Sequence, residues 1–151
     1  VNRSGGFNVP FGRHSNPTIC DEPNLRRVTA VLADVTIEVA DFEQLALRAK
    51  PGDAVYFDPP YLPVSKTASF TAYDRHPFLL EEHERLARVF AELVERGVAT
   101  VLSNSDTADS RRLYQMFVCS HPQVTRAINS RASSRGPVRE LLVTGKRRRA
   151  G

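Results

Sequence analysis

Four consecutive residues, Asp58-Pro59-Pro60-Tyr61, close a short apolar run, AVYF at 54–57. A residue before proline is pushed out of helical geometry, and a second proline keeps the stretch extended. Prolines bring carbonyls without N–H donors. The segment therefore presents a carboxylate and backbone acceptors beside an aromatic face. That set suits a flat ligand with an exocyclic amino group, because two acceptors take its two N–H bonds while its ring stacks on Tyr61. The same residues also suit a Pro-rich turn after a strand, with Asp58 as its acceptor and Tyr61 packed. Four residues alone leave both readings open.

Other side chains with chemical potential are fewer. His14, His76, His83 and His121 show no metal-ligand spacing, so no metal site is expected. His83 shares a helical face with Leu86 and Phe90 and reads as a histidine at the edge of a core. Cys20 and Cys119 form no C-x-x-C and read as reduced, buried thiols.

The elements that must position these groups follow from periodicity. Residues 1–23 are rich in Gly, Pro, Asn and Arg and predict turns with a short hairpin. Asn24 is a candidate N-cap for a helix with Leu25, Val28 and Leu32 on one face. Val35, Ile37 and Val39 alternate with other residues as in a strand. Asp41 and Gln44 resemble a capping box for the helix DFEQLALRA. Pro51-Gly52-Asp53 turns the chain into AVYF.

SKTASFTAYDR (65–75) predicts a loop or hairpin. Pro77 opens a long amphipathic helix bearing Leu86, Val89, Phe90, Leu93 and Val94, and Gly97 ends it. Strand 98–103, helix 109–117 and strands 123–128 and 139–145 complete the run. Strands alternating with helices predict an α/β sheet, parallel in most of its length. An open sheet of this kind binds ligands beyond the carboxyl ends of its strands, where Asp58 falls.

At 151 residues, 41% apolar and 25% charged, the chain has the balance of one globular domain and not of a disordered or disulfide-scaffolded segment. No run reaches the ~18 apolar residues of a membrane span. The opening VNRSGGFNVPFG has no signal-peptide pattern, so a cytoplasmic location is expected. Charge divides sharply. Residues 1–109 hold 11 Lys/Arg against 16 Asp/Glu, whereas 110–151 hold 10 against Glu140 alone, a net of +9. Such a block fits either a nucleic-acid-facing surface or a solvated face with a basic tail at 146–149.

The DPPY tetrapeptide resembles the catalytic motif of amino-methyltransferases. Together with FNVPFGR (7–13), ADF (40–42), FTAY (70–73), SNSDT (103–107) and ELLVTG (140–145), it falls in the order found in Dam-type (D12 class) DNA adenine-N6 methyltransferases. The resemblance spans about residue 2 to 145. It implies a Rossmann-like α/β sheet, S-adenosylmethionine as cofactor and double-stranded DNA as partner, with a flipped-out adenine as the methyl acceptor. It also implies catalytic roles for Asp58, Pro59, Pro60 and Tyr61. Asp41 and Phe42, with Asp58, would meet the cofactor. Asn8, Pro10 and Arg13 would belong to the DNA-reading hairpin, and Arg126, Arg131 and Arg135 to a loop near the DNA backbone. Phe70 and Tyr73 would lie over the flipped base or pack in the core. GATC is the first expectation for the recognition site, although His14 and Ser15 depart from the Tyr and Lys common in the family.

The family's F-x-G-x-G turn, which cradles the methionine part of the cofactor, has no match in this sequence; Gly5-Gly6-Phe7 aligns with the recognition hairpin instead. The expected organisation is therefore the end of a target-recognition region at 1–23, the C-terminal portion of a catalytic domain at 24–145 and a basic tail at 146–151. The missing strands would lie between those of Val35–Val39 and Ala54–Phe57. A missing N-terminal segment or complementing chain is the implied partner, and Val1 fits either an internal cut or a GTG start. Three readings follow: an adenine methyltransferase, such as one from a restriction–modification system; a non-catalytic fragment or DNA-binding subunit; and a cytosine-N4 methyltransferase.

Overall fold

In the computed structural model the described residues are 19–64, 78–125 and 137–147. They fall into two compact units, Val1–Val39 and Ala40–Gly151. In the first, α1 (Glu22–Val31) starts three residues earlier than Asn24 would place it. Asp21 is the N-cap and accepts from the Asn24 N–H at 3.3 Å, with Pro23 in the first turn where its missing N–H costs nothing. Leu25, Val28 and Leu32 stay exposed. The expected strand at Val35–Val39 does not form. Its apolar side chains are exposed, and residues 35–39 take part in no strand pairing among the described residues. Alternation marks a face that can be buried, but a strand needs a partner.

The second unit holds the sheet. α2 (Phe42–Ala46) is capped by Asp41, whose carboxylate accepts from the Glu43 N–H at 3.0 Å; the reciprocal Gln44 bond of a capping box is not made. β1 (Ala54–Phe57) follows a turn in which Gly52 takes φ +100°. α3 (Leu80–Glu95) carries Glu81 and Glu82 in its first turn and ends at Gly97, φ +79°. β2 (Ala99–Ser105), α4 (Ala108–Leu113), β3 (Phe117–Ser120), β4 (Gln123–Thr125) and β5 (Pro137–Arg147) complete it.

The strand order is β1-β2-β5-β3, with β4 also pairing β5. Only β1–β2 is parallel; β5 runs antiparallel to β2, β3 and β4. The expectation of a mostly parallel sheet is thus corrected. β1, β2 and β3 do run one way, as alternating helices and strands require. β5, however, is inserted between β2 and β3 in the opposite sense, and periodicity does not encode spatial order.

One sheet face packs on α3 through Phe57, Leu102, Leu141 and Val143 against Leu86, Val89, Phe90 and Leu93. Each such side chain contributes about 1.5–3 kcal/mol on burial. Phe90 is the hub, with ring centroids 5.5 Å from Tyr114 and 5.0 Å from Phe117, both edge-on. That packing explains why the helix expected to reach 117 stops at Leu113: Tyr114 and Phe117 are drawn to the core, and Phe117 opens β3. Gly145 is where β5 crosses α3 closely. A Cβ there would stand 2.8 Å from Val94 Cγ2. Cys20 is exposed and Cys119 half-buried, so neither is the buried thiol expected. Among the described residues no helix is long and apolar enough to cross a membrane.

Candidate active site

The carboxyl end of β1 delivers Asp58 as the parallel register dictates. Phe57 pairs with Leu102, so Asp58 and Ser103 emerge abreast on the face away from α3. Ser103 donates its hydroxyl to Asp58 Oδ1 at 2.8 Å, and its Oγ also lies 2.8 Å from the Tyr56 hydroxyl. Tyr56 shares that face, two residues before Asp58. The second carboxylate oxygen has no partner among the described residues. Asp58 is exposed, held by one atom and open at the other.

The chain leaving DPPY is held by the next residue of β2. Asn104, fully buried, accepts from the Leu62 N–H at 2.9 Å and the Ser105 N–H at 2.8 Å through Oδ1. Its Nδ2 lies 3.5 Å from Nδ1 of His83 on α3. His83 is itself fully buried rather than at a core edge, and burial lowers its pKa to about 4. Tyr61 donates to Glu140 Oε2 at 3.4 Å. Partial burial, with the Glu140 and Asp58 carboxylates, raises its phenol pKa.

A cavity of about 530 Å³ opens along β1, within the range of small-molecule sites. Its walls include Phe42, Leu45, Phe78, Asp58, Pro59 and Pro60. The structure thus brings Phe42 and Asp58 to one cavity. Asp41 does not line it. Both oxygens of Asp41 receive Arg85, at 3.0 and 2.8 Å, and that guanidinium also meets Glu43 and Glu82. Arg85 lies 4.0 Å over the Phe42 ring centroid, so α3 clamps the aromatic wall by charge and by cation–π contact. The Arg85 hydrogen bonds hold the Asp41 carboxyl below its ordinary pKa.

Asn8, Pro10, Arg13, Phe70, Tyr73, Arg126, Arg131 and Arg135 lie outside the described residues, as do the loop at 65–75, Pro77 and the tail beyond Arg147. Ser103, Asn104, Tyr56, Glu140 and Arg85 carry site contacts that sequence reasoning left without a role. A signal existed for two of them. Ser103-Asn104-Ser105 is a polar run ending a strand whose earlier residues are apolar but for Thr100, and all three residues are buried. Arg85 shows no comparable signal, because its partners Asp41 and Glu43 are over forty residues away.

This geometry sets a carboxylate and two prolines at the end of a parallel strand, beside an apolar cavity in an α/β unit. Residues 1–128 match the family model of D12 class N6 adenine-specific DNA methyltransferases, and the chain belongs to that family. It is 39% identical over 146 residues to the type II methyltransferase M1.LlaDCHI of Lactococcus lactis subsp. cremoris, covering 95% of this chain and 51% of that protein. The type II methyltransferase M.MjaIII of Methanocaldococcus jannaschii is 41% identical over 145 residues, with 95% and 50% covered. The DNA adenine methylase of Escherichia coli K12 is 38% identical over 141 residues, with 93% and 50% covered. The chain spans about half the length of these curated relatives.

Proposed function

We propose that this chain carries the amine-activating part of a DNA adenine-N6 methyltransferase, in a protein that works on duplex DNA in the cytoplasm. The observation that carries the reading is Asp58, fixed at Oδ1 by Ser103 and open at Oδ2, next to Pro59 at the mouth of an apolar cavity. Asp58 and the Pro59 carbonyl would accept the two N–H bonds of the adenine amine. That draws electron density onto N6 and aims its lone pair, without a covalent enzyme intermediate. Tyr61 would stack on the base after it leaves the duplex, with its hydroxyl tethered to Glu140.

The cavity fits part of a cofactor with an aromatic group. Phe42, Leu45 and Phe78 offer apolar and aromatic surface, and Asp58 is the one carboxylate among the described lining residues. S-adenosylmethionine would supply an electrophilic methyl group on sulfur when bound there. Phe42 would hold the adenine end, and Asp41 would act behind it through Arg85 and the α2 cap. The outer edge of β1, which pairs with no further strand among the described residues, is where the strands bearing the family's glycine-rich turn would dock, as the proposed C-terminal position of residues 24–145 in a catalytic domain requires. A GATC-like site, read by residues 7–13, is the corresponding proposal for specificity.

The test is methyl transfer by the intact protein from labelled S-adenosylmethionine to duplex DNA, followed by digestion to nucleosides. Label in N6-methyladenine is expected. Label in N4-methylcytosine, or none in DNA, would overturn the assignment.

A further inference from the structure

A second polar cluster, not used by the amine site, stands at the carboxyl end of β2. Asp106 follows that strand directly and its side chain is 2% exposed. Arg111 grips it with two hydrogen bonds, Nε to Oδ1 at 2.6 Å and Nη2 to Oδ2 at 2.8 Å. His121 Nδ1 stands 3.2 Å from Oδ2. A buried carboxylate thus fixes the plane of one guanidinium, while Arg111 itself stays 56% exposed with its remaining donors available.

Arg111 and Arg139 line one cleft of about 260 Å³, together with Val64, Val138 and Asp106. The register of β5 explains the meeting: Ser105 pairs with Glu140, so Arg139 arrives level with the residue after β2. Arg139 has no carboxylate partner among the described residues. Among the described lining residues two guanidiniums face one carboxylate, which leaves the cleft cationic. It is also close to the proposed chemistry. Val64 is three residues beyond Tyr61, and Glu140, which holds the Tyr61 hydroxyl, adjoins Arg139.

We propose that this cleft is a phosphodiester site, in which Arg111 and Arg139 hold one backbone phosphate of the substrate DNA beside the target nucleotide. The proposal rests on the DNA reading above and adds a contact that fixes the duplex without reading its sequence. Arg111 is pre-oriented by Asp106, which limits the ordering that binding would require. Arg139 supplies a charge that no carboxylate among the described residues neutralises. A cleft of this size has room for one tetrahedral anion between the two guanidiniums.

The measurement is the salt dependence of duplex binding by the intact protein, with Arg139→Gln and Arg139→Lys compared on two unrelated duplex sequences. Losing one phosphate contact makes the slope of log affinity against log salt shallower by about 0.9, or roughly eightfold weaker binding at ~0.1 M salt. Arg139→Gln should show that loss equally on both duplexes, and Arg139→Lys should restore most of it. Arg111→Lys, which keeps a cation beside Asp106, should fold and show a smaller loss. An unchanged slope in Arg139→Gln, with a salt-dependent wild type, overturns the site and leaves the methyltransferase reading intact. A wild type that binds no duplex overturns both. Micromolar binding of inorganic phosphate alone, lost in Arg139→Gln, would assign the cleft to a free anion and overturn the DNA assignment.

Discussion

Ser103 donates to Asp58 across the β1–β2 pair at 2.8 Å, and the parallel register of the two strands brings the two side chains abreast. The hydroxyl occupies one carboxylate oxygen and leaves the other open, where the proposed amine would meet it. A hydrogen bond to a charged group is worth about 1.5–3 kcal/mol, which sets the scale for its removal. Ser103→Ala should lower the methyl-transfer rate roughly 10- to 150-fold, with little change in duplex affinity. Steady-state kinetics with a parallel DNA-binding titration separates the two. Ser103→Thr, which keeps the hydroxyl, should recover most of the rate.

Arg85 joins α3 to the corner that carries Phe42. Arg85→Met should weaken S-adenosylmethionine binding several-fold while sparing duplex binding. Lysine should not rescue it, because a point charge cannot bridge Asp41, Glu43 and Glu82 and lie flat on the ring. Calorimetry on the intact protein checks this. In a Phe42→Leu background the Arg85 substitution should have almost no further effect on cofactor affinity, since its action runs through that ring.

His83 gives a pH signature. Burial depresses its pKa from 6.5 to about 4, so the folded state keeps it neutral where the unfolded chain takes up a proton. Its contribution is complete above pH 6.5 and is lost as pH falls from 6.5 toward 4. Thermal unfolding midpoints of the wild type should therefore drop over that window more steeply than those of His83→Gln. Parallel curves for the two proteins would refute the assignment.

Much of this site was legible because it is local. DPPY fixes its own geometry through two prolines, and α3 announces itself by apolar spacing and the glycine at 97. Asp41 is legible as an N-cap, but its contact with Arg85 is not, because Arg85 is distant in sequence. The α/β class followed from alternation. The antiparallel insertion of β5 did not, because only spatial order reveals it. The strand at Val35–Val39 was legible as a pattern and absent as structure, since a ladder requires a neighbour.

The central claim is that Asp58 activates the amine. Its most direct measurement is single-turnover methyl transfer by Asp58→Ala in the intact protein, with duplex affinity measured on the same preparation. Losing a positioned electrostatic group of this kind costs about 100- to 1,000-fold or more. Transfer should fall by at least that factor with duplex affinity unchanged. Transfer within a fewfold of wild type by a protein that still binds duplex would contradict it.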